Sequence, residues 1–215
     1  VHDLLSVVYT EQGRYDDAAE ALTDAIAFDP NYAMAWYNFG RIERINGKYQ
    51  NAKEYFDEAI TLRAGLSKAY FERALVNKQM SNFEDAKEDY SFLIEQGGEL
   101  ENAAVINRGL ARKMSGDFEG ALTDLNMAIE ENPDDACLYQ DRGNLQLVLG
   151  QLDLARQDYN EALNRDASLP EVYYNRGLTL YIQNERVKAC RDLKEAIRRG
   201  YKRAEEKYEL FCLDE

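Results

Sequence analysis

Small and apolar residues return along this chain at a spacing of 34. Ala18, Ala52 and Ala86 are 34 apart, and after one extra residue the series resumes as Ala121, Ala155 and Ala189. A large apolar residue follows each: Leu22, Phe56, Tyr90, Leu125, Tyr159, Leu193. An aliphatic column runs in step as Ile26, Ile60, Ile94, Ile129, Leu163 and Ile197. A column of small residues precedes them, Ser6, Gly40, Ala74, Gly109, Gly143 and Gly177, and another holds Ala25, Ala59, Leu93, Ala128, Ala162 and Ala196. Five columns that keep their chemical type through six copies establish an internal repeat.

Within each copy the apolar positions fall into two stripes at helical spacing. In the second copy, Ala35, Trp36, Phe39, Gly40 and Ile42 form one stripe, and Ala52, Tyr55, Phe56, Ala59 and Ile60 form the other. Between the stripes stands Asn46-Gly47, with Gly13, Ser81, Gly116, Gly150 and Asn184 at the equivalent site elsewhere. Glycine and asparagine tolerate the left-handed backbone that ends a helix, so the spacing predicts helix, sharp turn, helix. Asp29-Pro30-Asn31 and Asn132-Pro133-Asp134 are breaker and cap signals between copies. No copy can bury its apolar face alone, so the copies must stack. Ala204, Tyr208, Phe211 and Cys212 make one stripe on an otherwise charged segment, which predicts a helix over 204–213 that caps the last copy.

These residues resemble the tetratricopeptide repeat, a 34-residue helix–turn–helix unit. Trp36, Phe39, Gly40, Ala52, Phe56 and Ala59 carry the resemblance, as do Gly109, Gly116, Ala121, Ala128 and Pro133. It covers essentially the whole chain. It implies an all-α fold, a right-handed superhelical solenoid in one domain. Repeats are expected near 1–32, 33–66, 67–101, 102–135, 136–169 and 170–203. The third copy departs by one extra residue near Gln96-Gly97-Gly98, and the terminal proline is kept only as Pro30 and Pro133. The chain opens on Val-His-Asp-Leu-Leu, already in helical rhythm, and reads as a piece of a longer protein.

Two columns covary. Arg73, Arg108, Arg142 and Arg176 each have an aspartate sixteen residues later: Asp89, Asp124, Asp158 and Asp192. Where the first position is Leu5 or Phe39, the second is Ala21 or Tyr55. Antiparallel helices bring the two columns face to face. The expected role is an ion pair inside each repeat, and the alternative is a row of arginines that binds a carboxylate ligand.

Composition narrows the chemistry. Twenty-six Lys and Arg against 40 Asp and Glu give a formal charge of −14, a field that repels nucleic acid. No apolar run approaches the ~20 residues of a membrane span. The one histidine, His2, and three widely spaced cysteines form no metal-ligand spacing. With no catalytic constellation and no cofactor motif, neither an enzyme nor a metal or cofactor site is expected. Cys190 and Cys212 are expected close together as two buried thiols, with a disulfide as the alternative in an oxidising compartment. Unpaired cysteines favour the cytoplasm.

Three functions remain open. One is an interaction module with a concave groove for a peptide or partner protein, as the resemblance implies. The others are a structural spacer or self-association unit, and a regulatory domain of a larger enzyme. The family's Lys/Asn/Arg clamp for chaperone C-termini is absent: its sites here are Asp3 and Val7, or Tyr37 and Arg41 in the next register. In the family the first helix of each repeat builds the groove. Its wall is expected to include Tyr37, Asn38, Arg41, Arg44, Lys68, Phe71, Lys78, Asn107 and Lys113 in the second to fourth repeats, with Asn175 in the sixth. That wall holds five cations against Glu72, whereas the other repeats contribute Asp3, Glu11, Asp141 and Glu171. The expected ligand is an extended acidic and aromatic segment. Leu4, Leu5 and Val8, on a helix with no preceding repeat, raise the further expectation of self-association at that end.

Overall fold

The computed structural model describes residues 2–213, with side chains from residue 5 onward. Its α-helices are α1 (His2–Glu11), α2 (Tyr15–Phe28), α3 (Ala33–Ile45), α4 (Tyr49–Leu62), α5 (Ser67–Gln79), α6 (Phe83–Gln96) and α7 (Glu101–Met114). They continue as α8 (Phe118–Glu131), α9 (Ala136–Val148), α10 (Leu152–Arg165), α11 (Pro170–Ile182), α12 (Arg186–Arg198) and α13 (Arg203–Tyr208). A π-helical segment, Glu209–Leu213, follows. There is no strand among the described residues, and the fold is an all-α helical-repeat solenoid. No described helix is long and apolar enough to cross a membrane.

The turn inside each hairpin follows from one residue. Gly13, Gly47, Ser81, Gly116, Gly150 and Asn184 all have φ between 62° and 84°. The next amide then reaches back to a carbonyl inside the preceding helix, as Lys48 N–H does to Glu43 at 2.9 Å and Asn82 N–H to Asn77 at 2.8 Å. This closes the helix end and reverses the chain.

The chain divides into two compact units, residues 1–117 and 118–215. In the first, α1/α2, α3/α4 and α5/α6 form antiparallel hairpins and α7 packs on α6. Phe56 is fully buried with Ala52, Ala59 and Ala69 around it. The small column lets the paired helices close up: a Cβ on Gly40 would lie 2.6 Å from the Phe56 ring. In the second unit, α8 packs on α9, and α9/α10 and α11/α12 are hairpins. Gly143 meets Tyr159 in the same way, at 2.8 Å from an added Cβ.

At the end of the second unit, α13 and the π-helical segment cover α12. Ala204 is fully buried, and Tyr208, Phe211 and Cys212 pack against Leu193 and Ala196. Cys190 and Cys212 are joined in a disulfide across a Cα separation of 5.7 Å. This corrects the expectation of two free thiols. The C-terminal segment folds back on the last hairpin, where Phe211 stacks on Tyr181 of α11 at 3.7 Å and its carbonyl accepts from Arg186 Nε of α12 at 2.7 Å. The argument from unpaired cysteines to a reducing cytoplasm loses its basis here. Cys137 alone is free, and it is exposed.

Candidate functional site

The arginine column is built into the stack. Arg73 donates to both oxygens of Asp89, at 3.0 and 2.6 Å. Arg142 does the same to Asp158 at 2.8 and 2.7 Å, and Arg176 to Asp192 at 2.6 and 2.9 Å. The aspartates are 4 to 5% exposed. Each of these three guanidiniums also lies near a tyrosine ring three residues earlier, Tyr70, Tyr139 or Tyr173. Burial works against the Arg73 cation, but the hydrogen bonds and charge of Asp89 and Asp57 outweigh it and hold the group above its ordinary value. Arg108 and Asp124 belong to different units, and their pairing stays an expectation.

A third arm of the fork was not anticipated. Arg73 Nη1 donates to Asp57 at 2.6 Å, Arg108 to Ser91 at 3.0 Å, Arg142 to Asn126 at 2.7 Å and Arg176 to Asn160 at 2.8 Å. These four acceptors occupy one column on the second helix of the preceding repeat. In three repeats, then, one arginine ties together its own helix, its hairpin partner and the repeat before it. The signal was present as a run of short polar residues at one register, but its members differ in charge and type.

The second repeat fills the same joint differently. Phe39 replaces the arginine, Tyr55 replaces the aspartate, and their rings lie 4.7 Å apart.

The expected groove residues separate into distinct environments. Tyr37, Arg41, Lys68 and Phe71 line one open recess of about 300 Å³ between α3 and α5, together with Glu72 and Leu100. Tyr37 and Asn38 are only 7% exposed, so neither stands free in the wall as the columns suggested. Asn38 instead borders a smaller recess beside α1, lined also by Ser6 and Thr10. Burial pushes the Tyr37 hydroxyl up from its ordinary value. Arg44 is 2.7 Å from Glu72, whereas Arg41 approaches the same carboxylate only to 3.9 Å. Lys68 is exposed, with no ion pair or hydrogen bond among the described residues.

The remaining residues do not join that recess. Lys78 donates to Asn107 at 2.7 Å, and burial pushes its ammonium down. Asn107 in turn donates to the Ala103 carbonyl at 2.9 Å. Lys113 is half-buried in the last turn of α7. Asn175 lies in the second unit and donates to Asn144 at 2.8 Å. Leu100 was missed because it falls beside the extra residue of the third copy. Gly97 and Gly98, with φ of 69° and 98°, carry the chain from α6 to α7 there. At the other end of this unit, Leu5 and Val8 on α1 are 40% and 45% exposed. The side chain of Leu4 lies outside the described residues.

Among the described residues no group of three or more His, Cys, Asp or Glu is arranged to hold a metal ion. The α3–α5 recess sets Arg41 and Lys68 beside aromatic and aliphatic surface, with Glu72 in the same wall.

Comparison with known proteins agrees with this architecture. No curated protein matches the sequence. Solved structures do. YrrB, described as a TPR protein with an unusual peptide-binding site, is 24% identical, with 85% of this chain and 93% of that one covered and a TM-score of 0.70. PilW, a type IV pilus biogenesis factor, is 16% identical over 90% of each chain, with a TM-score of 0.73. Pseudomonas aeruginosa pilF is 14% identical over 96% of each, with a TM-score of 0.72. These likenesses show the fold. The sequence profile of the tetratricopeptide repeat matches residues 5–67 and 69–136, and a second TPR repeat profile matches 143–184. The chain belongs to the tetratricopeptide repeat family.

Proposed function

We propose that this protein is an interaction scaffold that takes an extended acidic and aromatic peptide segment in the recess between α3 and α5. One observation carries the reading: Arg41 and Lys68 share a recess of about 300 Å³ with Tyr37, Phe71 and Leu100. The neighbouring carboxylate, Glu72, lies 2.7 Å from Arg44 and 3.9 Å from Arg41, so three cations surround one carboxylate there and the recess keeps a positive surplus. Aromatic surface beside arginine is the composition that concentrates binding energy at interfaces. Members of the family are in general protein–protein interaction scaffolds and not enzymes, and YrrB carries a peptide-binding site by its own description. Neither a spacer nor an appended regulatory domain requires such a recess.

Panning a random peptide library on the full chain tests this. Acidic residues next to aromatic ones should be enriched, and recovery should fall with Arg41→Glu and Lys68→Glu. Recovery should also fall with added salt, since screening reaches about 8 Å at physiological ionic strength. Enriched peptides without acidic residues, or equal recovery on the variants, would overturn the reading.

The exposure of Leu5 and Val8 supports a second reading, self-association through α1. Sedimentation velocity should then show a concentration-dependent dimer that Leu5→Glu/Val8→Glu abolishes. A monomer at all concentrations contradicts it.

A further inference from the structure

Two recesses occupy the same place in the repeat, three repeats apart. The first lies between α4, α5 and α6 and measures about 240 Å³, and the second lies between α10, α11 and α12 and measures about 410 Å³. Arg73 and Asp89 of the first recur as Arg176 and Asp192 in the second, so the joint beneath both is the same. Their walls differ in sign. Asp57, Asp85 and Glu88 of the first are replaced by Asn160, Lys188 and Arg191, and Lys53 by Arg156. Two cations and four carboxylates line the first recess; four cations and one carboxylate line the second.

The internal pairs leave the second recess positive. Asp192 is occupied by both forked bonds from Arg176. Arg156 and Lys188 share Glu185, the former at 2.7 Å. Asp153 approaches Arg156 only to 3.5 Å and also accepts from Gln183 at 2.8 Å. Arg191 is exposed and has no ion pair or hydrogen bond among the described residues. In the first recess the balance is reversed. Lys53 pairs with Asp85 at 3.3 Å, Arg73 holds Asp57 and Asp89, and Glu88 is surplus.

A cleft lined by one sign of charge focuses its field and concentrates the opposite ion, and here it does so inside a chain of net charge −14. Guanidinium groups bind planar and tetrahedral oxyanions through paired N–H donors. Arg156 and Lys188 face Glu185, Arg156 also meets Asp153 at the limit of hydrogen-bond reach, and the positive surplus that remains with Arg191 suits a dianion better than a monocarboxylate. We propose that the recess between α10, α11 and α12 is a binding site for a phosphate-class dianion, held by Arg191, Lys188 and Arg156. The dianion is either inorganic phosphate or a phosphorylated side chain, because both present the same oxygens. This site shares no residue with the α3–α5 recess and does not depend on its reading.

The test is a nuclear magnetic resonance titration of the full chain at constant ionic strength, following arginine Nε and backbone amide signals. One arm uses inorganic phosphate, and the other a phosphoserine-containing peptide with its unphosphorylated form as control. Saturating shifts confined to α10–α12, with none around Lys53 and Asp85, are expected in at least one arm. Tighter binding in the peptide arm identifies a protein-borne phosphate, and equal or tighter binding of free phosphate identifies the ion itself. Lys188→Asp/Arg191→Glu places the first recess's residues in the second. It should weaken binding about tenfold or more, as expected for losing charge-assisted hydrogen bonds. Arg191→Gln, a change at an exposed site, should weaken it less while leaving the circular dichroism spectrum unchanged. Linear shifts, equal shifts at both recesses, or unchanged affinity in both variants would overturn the proposal.

Discussion

The joint inside the second repeat and the joint inside the fifth solve one packing problem with opposite chemistry. In the second, Phe39 and Tyr55 meet ring to ring at 4.7 Å. In the fifth, Arg142 and Asp158 occupy the same positions with two hydrogen bonds of 2.8 and 2.7 Å, and a third bond of 2.7 Å runs to Asn126 in the repeat before. Both fill the space beside a glycine that lets two helices close up, Gly40 in one and Gly143 in the other. The difference lies in chemistry. Phe39 packs against the buried cluster that includes Ala18, Leu22 and Ala25 of α2, whereas Arg142 reaches the repeat before through a hydrogen bond to Asn126. An arginine in that column is therefore committed to the stack, and the cations that the proposed function assigns to a ligand, Arg41 and Lys68, stand in other columns.

The largest effect is expected from removing one half of an ion pair. Arg142→Ala leaves Asp158, 4% exposed, without its donors, and should cost about 3 kcal/mol, the low end for a broken buried pair because Arg142 keeps some solvent contact. Arg142→Phe/Asp158→Tyr installs the second repeat's solution and should recover most of that loss in urea unfolding. A double variant no better than Arg142→Ala would show that the two joints are not interchangeable.

A smaller effect is expected at the glycine the joints share. Gly40→Ala gains about 1 kcal/mol of helix propensity but drives a Cβ to 2.6 Å from the buried Phe56 ring. Overpacking of about 1–3 kcal/mol should prevail, and thermal unfolding should shift downward. A raised melting temperature would mean the aromatic joint has room to spare.

The smallest expected effect concerns the third arm. Asn126→Ala removes one acceptor from Arg142 and should cost about 1 kcal/mol. Hydrogen exchange should localise the loss to α8 and α9. An unchanged exchange pattern would reduce the three-helix clamp to a two-helix pair.

Much of this was legible along the chain. The turn column foretold the left-handed backbone at Ser81 and Asn184 as well as at the glycines, because one stereochemical demand recurs in every repeat. The spacing of sixteen foretold which aspartate faces Arg73, Arg142 and Arg176, since a hairpin of fixed length fixes that register. The third arm was not legible, because it crosses to the preceding repeat and its acceptors range from Asp57 to Asn160. Counting charges also misjudged the wall of first helices. Which of Arg41 and Arg44 reaches Glu72 depends on side-chain direction across α3 and α5, not on sequence spacing. Tyr37 and Asn38 are covered by neighbouring helices in a way no single helical wheel displays. The disulfide stood only as the alternative, because it depends on how the C-terminal segment folds back on α12.

In the proposed reading, arginines of the clamp column hold the stack while Arg41 and Lys68 read the ligand. Fluorescence anisotropy with a labelled acidic and aromatic peptide recovered by panning tests it most directly, run beside thermal unfolding on Lys68→Glu and Arg142→Lys. Lys68→Glu should weaken binding about tenfold with stability changed by no more than ~0.5 kcal/mol. Arg142→Lys, which cannot keep the bidentate fork, should lower the melting temperature and leave peptide affinity intact. The reverse pattern, affinity lost with Arg142→Lys and kept with Lys68→Glu, would contradict it.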